Sequence, residues 1–140
     1  ATPQDRSSDG RRLAVRVFWA VLLALLAFLY VAEGMLINPW IFWNALPLAL
    51  AGILFWLGDG QRNGPVRAGA IGFLFGAMAF SVPFHVAWML DLDGTRTGSS
   101  TSVLLLAVTP LYAIALGGVA FLATWWVAKR RRATRGAGRS

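Results

Sequence analysis

Cysteine is absent from the 140 residues. Its absence excludes disulfides, thiolate metal sites and thiol nucleophiles, and it leaves the redox compartment unmarked. Charge is scarce as well: 14% of residues are charged, against about 25% in soluble domains. There are six carboxylates, one histidine and one lysine. A single histidine excludes a two-histidine haem within one chain and leaves too few ligands for zinc. No metal and no cofactor is therefore expected. Arginine makes up the rest of the thirteen basic residues, a bias that accompanies GC-rich bacterial genomes by association only.

What fills the space is apolar. Hydrophobic residues reach 57%, above the roughly 45–50% of soluble domains. They gather in four runs, "LAVRVFWAVLLALLAFLYVA" (13–32, extending to 37), "PWIFWNALPLALAGILFWL" (39–57), "AGAIGFLFGAMAFSVPFHVAWML" (68–90) and "SVLLLAVTPLYAIALGGVAFLATWWVA" (102–128). A helix needs about 20 apolar residues to cross a ~30 Å hydrocarbon core. Unpaired backbone groups are costly in lipid, so spanning segments are helices or closed barrel strands. These runs are continuous rather than alternating, which excludes barrel strands. The expected fold is an all-α membrane protein, a bundle of four transmembrane helices over residues 13–128. Basic tails, 1–12 and 129–140, flank it.

The first run is longer than the usual 7–15-residue core of a cleaved signal. Tyr30 before Val31 and Ala32 also makes a poor small-x-small cleavage site. A retained helix is expected. Basic residues set its orientation, because they accumulate in cytoplasmic flanks. Arg6, Arg11, Arg12, Arg16, Arg62, Arg67, Lys129, Arg130, Arg131, Arg132, Arg135 and Arg139 fall in the tails, the first turn and the second loop. Arg96 alone falls in the third loop, and the first loop has none. Four crossings put all twelve on one side, with both termini in the cytoplasm. Trp40, Trp43 and Trp88 then lie near the outer boundary, and Trp56, Trp125 and Trp126 near the inner one, where an apolar ring with a polar N–H is at home. The net charge of +7 thus reads as membrane orientation, with anionic lipid headgroups as partners of two disordered tails and no nucleic acid partner.

"MLDLDGTRTGSSTS" contains Asp91-Leu92-Asp93-Gly94-Thr95, which resembles the nucleophile motif of the haloacid dehalogenase phosphatases. The resemblance implies Asp91 as nucleophile and Asp93 as general acid/base at the end of a buried parallel strand. It also implies a later lysine and a downstream acidic pair for magnesium. No acidic residue follows Asp93, and Lys129 falls on the opposite expected face. A polar connector explains more. Asp91, Asp93 and Gly94 turn the chain, and Ser99, Ser100, Thr101 and Ser102 offer N-caps to the fourth helix. The spacing of the acids does not suit a calcium loop, which needs later ligands and a closing Glu.

A second resemblance covers about 16 residues. "TGSSTSVLLLAVTPLY" is similar to a stretch of short, uncharacterised four-helix bacterial inner-membrane proteins. In these a Gly-Ser-Ser-Thr loop enters a last helix carrying Pro-Leu-Tyr or Pro-x-Tyr. It implies a multi-pass protein of the cytoplasmic membrane and brings no activity with it. The small multidrug resistance proteins and fluoride channels share only the helix count. The former carry a mid-helix Glu in their first helix, whereas Glu33 lies near a helix end.

Within the third run, Gly69, Gly72 and Gly76 offer a surface for close helix packing, with Gly117 and Gly118 as a second approach point. Pro47, Pro83 and Pro110 each remove a backbone hydrogen bond and are expected to kink three helices. Static bending accounts for such kinks; a transporter-like cavity is the alternative.

Polar residues inside spans are functional candidates. Glu33, Asn44, His85 and Thr109 fall at similar depths, roughly 5–11 Å below the outer surface at ~1.5 Å per residue. Tyr30, Ser81 and Tyr112 lie a little deeper. Each helix thus delivers one polar group to an outer-half layer. His85 with Glu33 suits proton-linked chemistry. His85 with Met35 or Met89 is the haem alternative. Mutual satisfaction, with no further role, is the third possibility.

The function expected is a small, non-enzymatic accessory or assembly component of the bacterial inner membrane, partnered by the bilayer and by a homo-oligomer or larger complex. The alternatives are an oligomeric small-solute or proton-coupled transporter or channel, and a haem or redox subunit.

Overall fold

The computed structural model describes residues 3–34, 39–61, 63–98 and 102–137. The described residues form five α-helices and one short 3₁₀ turn. In order these are α1 (Pro3–Ala32), α2 (Pro39–Asn44), α3 (Leu46–Gly60), α4 (Gly64–Met89), the turn Leu92–Gly94, and α5 (Ser102–Ala137). α2 and α3 together make one crossing, so four helical segments are long and apolar enough to span a membrane.

The expected boundaries shift in physically sensible ways. α1 begins at Pro3 and α5 runs to Ala137, so the helix continues into both basic tails where disorder was expected. Thirty and thirty-six residues span about 45 and 54 Å at the helical rise, so each helix projects well past the core. Cation–π contacts steady the exit of α5. Lys129 lies over the Trp125 ring at 5.0 Å and Arg130 over Trp126 at 3.5 Å. α4 starts at Gly64 rather than Ala68, with Pro65 in its first turn and Asn63 Oδ1 accepting from Val66 N at 3.5 Å.

Prolines act unequally. The second crossing breaks at Ala45, two residues before Pro47. α4 and α5 run on as single helices through Pro83 and Pro110. Pro110 has no amide to donate, and the Trp43 indole N–H donates to the nearby carbonyl of Ala107 at 2.7 Å. That bond ties α2 to α5.

α4 is the central element, in contact with α1, α3 and α5. Its partnership with α5 is the closest. A Cβ built on Gly69 falls 2.6 Å from the Phe121 ring. One on Gly72 falls 2.8 Å from the Ala120 carbonyl and against the Thr124 hydroxyl, and one on Gly76 falls 2.7 Å from Ala120 Cβ. Gly117 of α5 faces Phe73, whereas Gly118 faces open space. Lipid provides little hydrophobic drive between helices, so van der Waals contact between backbones holds this pair.

α1 packs with a single stripe. Phe18, Leu22, Leu29 and Ala32 are buried, with Leu25 partly buried between them. Their alternating spacing of four and three residues makes a narrow seam. Phe18 stacks on Phe55 of α3 at 3.7 Å between centroids, and Trp19 meets the same ring edge-on. Val15 and Phe28 pack partly against the core, and Leu13, Val17, Leu23 and Val31 are exposed.

Gly72→Leu should lower the thermal midpoint in detergent by several degrees, since overpacking a tight contact costs about 1–3 kcal/mol. Gly118→Leu should leave it unchanged. Equal midpoints for both variants would show that α4 and α5 do not touch there.

Candidate functional site

α1 ends just where its polar group is needed. Glu33 N donates to the Leu29 carbonyl at 3.0 Å, and Gly34 N to Val31 at 3.1 Å. Gly34 takes φ +90°, in the left-handed region open to glycine. The chain therefore turns immediately after Glu33. This places a carboxylate at the negative end of the α1 dipole, an unfavourable position unless a cation or proton compensates.

The compensating group comes from α4. His85 is fully buried, and its Nε2 lies 3.5 Å from Glu33 Oε1, whose side chain is 3% exposed. The other ring nitrogen, Nδ1, lies 2.8 Å from the Ser81 carbonyl one turn back, with Ser81 Oγ at 3.3 Å. A carbonyl only accepts, so Nδ1 carries a hydrogen and donates. Nε2 is then the nitrogen that faces Glu33. A neutral Nε2 facing an ionised carboxylate would oppose two lone pairs in a dry site. A hydrogen on either atom would let the two hydrogen-bond. At 3.5 Å the contact is an ion-pair separation and not a closed hydrogen bond. Nε2 and both Glu33 oxygens otherwise lack hydrogen-bond partners.

All four residues of the expected layer are sequestered. Asn44 is 1% exposed, Thr109 2% and His85 0%. Only Glu33 and His85 are joined. Thr109 Oγ1 donates to the Leu105 carbonyl of its own helix at 2.6 Å. Asn44 closes α2 with neither amide atom hydrogen-bonded. Ser81 is buried against His85, whereas Tyr112 is exposed and packs on Phe80 at 5.7 Å. For haem, Met35 lies outside the described residues. Met89 sits one helical turn beyond His85 on the same helix, so the two cannot flank an iron from opposite sides.

The Asp91–Thr95 motif is a loop staple here. Asp91 and Asp93 adopt φ 51° and 53°, and Gly94 φ 71°. Asp91 Oδ1 accepts from Arg96 N at 2.8 Å and Thr97 N at 3.1 Å, and Oδ2 accepts from Thr97 Oγ1 at 2.5 Å. The Thr97 hydroxyl foremost, then the Arg96 amide, hold this carboxyl below its usual range. The motif follows a helix, and the described residues include no strand. Of the four expected caps, Ser99, Ser100 and Thr101 lie outside the described residues, and Ser102 is the first residue of α5 rather than its cap.

At the other end of the bundle, sequence reasoning missed a network. Arg11 of α1 donates through Nε to Asp59 Oδ1 at 3.0 Å and through a terminal nitrogen to the Asp59 carbonyl at 2.8 Å. Arg67 of α4 reaches the same oxygen at 3.4 Å. Asp59 is the only carboxylate at the basic end of the second crossing, and that isolation was the available signal. α1 thus meets a polar partner towards each end, Asp59 at one and His85 at the other.

No family model matches the chain, and no curated protein or solved structure matches it either.

Proposed function

We propose that the chain is a small, non-enzymatic accessory or assembly component of a bacterial cytoplasmic membrane, with both termini in the cytoplasm. The observation that carries this is how α1 is held. Its ends are clasped by Asp59 and His85, but its flanks are open. One apolar groove of about 410 Å³ runs between α1 and α4, lined by Val17, Phe18, Val21, Ile71 and Phe75 among others. A second, of about 630 Å³, lies between α1 and the second crossing, lined by Leu23, Leu26, Tyr30, Phe42 and Ala49 among others. Side chains at bilayer depth with unfilled grooves between them suit a further transmembrane helix, since association in lipid is driven by packing. The Gly-Ser-Ser-Thr resemblance and the twelve-to-one basic bias support the inner membrane and this orientation.

A second role, proton-coupled movement of a small solute, is favoured by the Glu33–His85 pair and the unpartnered Asn44 amide. Intramembrane ionisable groups of this kind mark proton pathways.

A photo-crosslinking residue at Phe42, in the larger groove, should capture one discrete protein in native membranes, and one at Leu122, exposed on α5, should not. Absence of any protein adduct at Phe42, Leu23 and Ile71 alike would contradict the accessory role. Acid-driven proton uptake into liposomes, abolished by Glu33→Gln, would then favour transport; uptake unaffected by that change would remove it.

A further inference from the structure

A cavity of about 250 Å³ opens at the basic end of the bundle, lined by Arg11, Gly58, Asp59, Gly64, Arg67 and Arg132. Four crossings converge there, through α1, α3, the start of α4 and the extension of α5. Three guanidinium groups face one carboxylate, leaving a formal excess of two positive charges. Asp59 is engaged by Arg11 and Arg67. Arg132 has no acidic partner among the described residues. It lies against Gly64, where a built Cβ would fall 2.8 Å from a guanidinium nitrogen.

This placement runs against simple electrostatics. Gly64 opens α4, and the positive end of a helix dipole favours anions. The first turn of α4 has no acidic residue and instead holds Arg67, with Arg132 beside it. Asp59 offsets only one of the three cations, and the excess repels itself unless a further anion sits among them. The geometry points to a phosphate group as the missing anion, bound in this cavity by the Arg132 and Arg67 forks. Planar guanidinium groups match phosphate oxygens two at a time. A cavity of this size accommodates a phosphate headgroup rather than a bulky ligand.

Depth favours a lipid phosphodiester over a soluble phosphate ester. Trp125 and Trp126 mark the interfacial level on α5. Arg132 lies six residues beyond Trp126, about 9 Å further along the helix, within the headgroup layer. The C-terminal extension of α5 is what carries it there, and Gly64 leaves room for it. The site is independent of the accessory role, because it needs no protein partner.

The test uses the full chain, stripped of lipid in a neutral detergent. Wild type, Arg132→Gln and Arg130→Gln are each mixed with phosphatidylglycerol, with phosphatidylcholine, or with inorganic phosphate. Bound lipid is read by native mass spectrometry and thermal midpoint by fluorescence. Arg130→Gln removes the same charge from the same helix, outside the cavity. Arg132→Gln should reduce phosphatidylglycerol retention about tenfold, as for losing one charge-assisted contact, and Arg130→Gln should leave it unchanged. Phosphatidylcholine has a phosphate but no net charge, and should be held more weakly by wild type. If inorganic phosphate raises the wild-type midpoint through Arg132 while the lipid does not, the site belongs to a soluble phosphate ester. Equal loss in both variants, or no Arg132-dependent response to either phosphate source, would overturn the proposal.

Discussion

Hydrocarbon offers no hydrogen bonds, and that constraint organises this protein. Backbone groups answer it by forming helices, and the few polar side chains within the spans must find partners inside the protein. Thr109 does so locally, through its own helix. Trp43 does so across helices, at a carbonyl close to Pro110. Glu33 and His85 can do so only through each other, because burial removes water and Ser81 already occupies Nδ1. A carboxylate at the wrong end of a helix and the sole imidazole thus face each other as one unit.

The same constraint divides the bundle into a rigid and an adaptable part. α4 and α5 meet backbone to backbone at Gly72 and Gly76, and Gly69 lies against the Phe121 ring, so a side chain added at any of the three must displace a neighbour. α1 is held differently, by an aromatic stack near its middle and charged clasps towards its two ends. Charged contacts respond to protonation, salt and bound anions in ways that van der Waals contact does not. The Asp59 clasp shares its arginines with the cavity at the basic end. α1 is therefore the element whose position is set by chemistry outside its own packing.

Much of this was legible in the residues. The four spans followed from apolar runs, because bilayer thickness dictates helix length. The small residues of the third helix followed from their spacing, and Asn44, His85 and Thr109, expected in one layer, are all buried. Register between helices was not legible. Depth alone could not tell that His85 meets Glu33 while Asn44 meets neither, since rotation about each axis is decided by packing. Disorder in the tails was the wrong expectation: helix propensity and tryptophan–cation contacts continue α5 past the core, and α1 begins earlier than its apolar run. Asp59 was overlooked because a lone acid at a helix end reads as solvated until Arg11, 48 residues away in sequence, and Arg67, across the second loop, are placed beside it.

His85 is the only histidine, so a histidine-labelled sample in lipid nanodiscs reports on this ring alone. Nitrogen NMR should show Nδ1 carrying the hydrogen that bonds to the Ser81 carbonyl and the Nε2 signal displaced in Glu33→Gln. Superimposable histidine spectra for wild type and Glu33→Gln, or a ring protonated at Nε2 with Nδ1 bare, would contradict a Glu33–His85 unit.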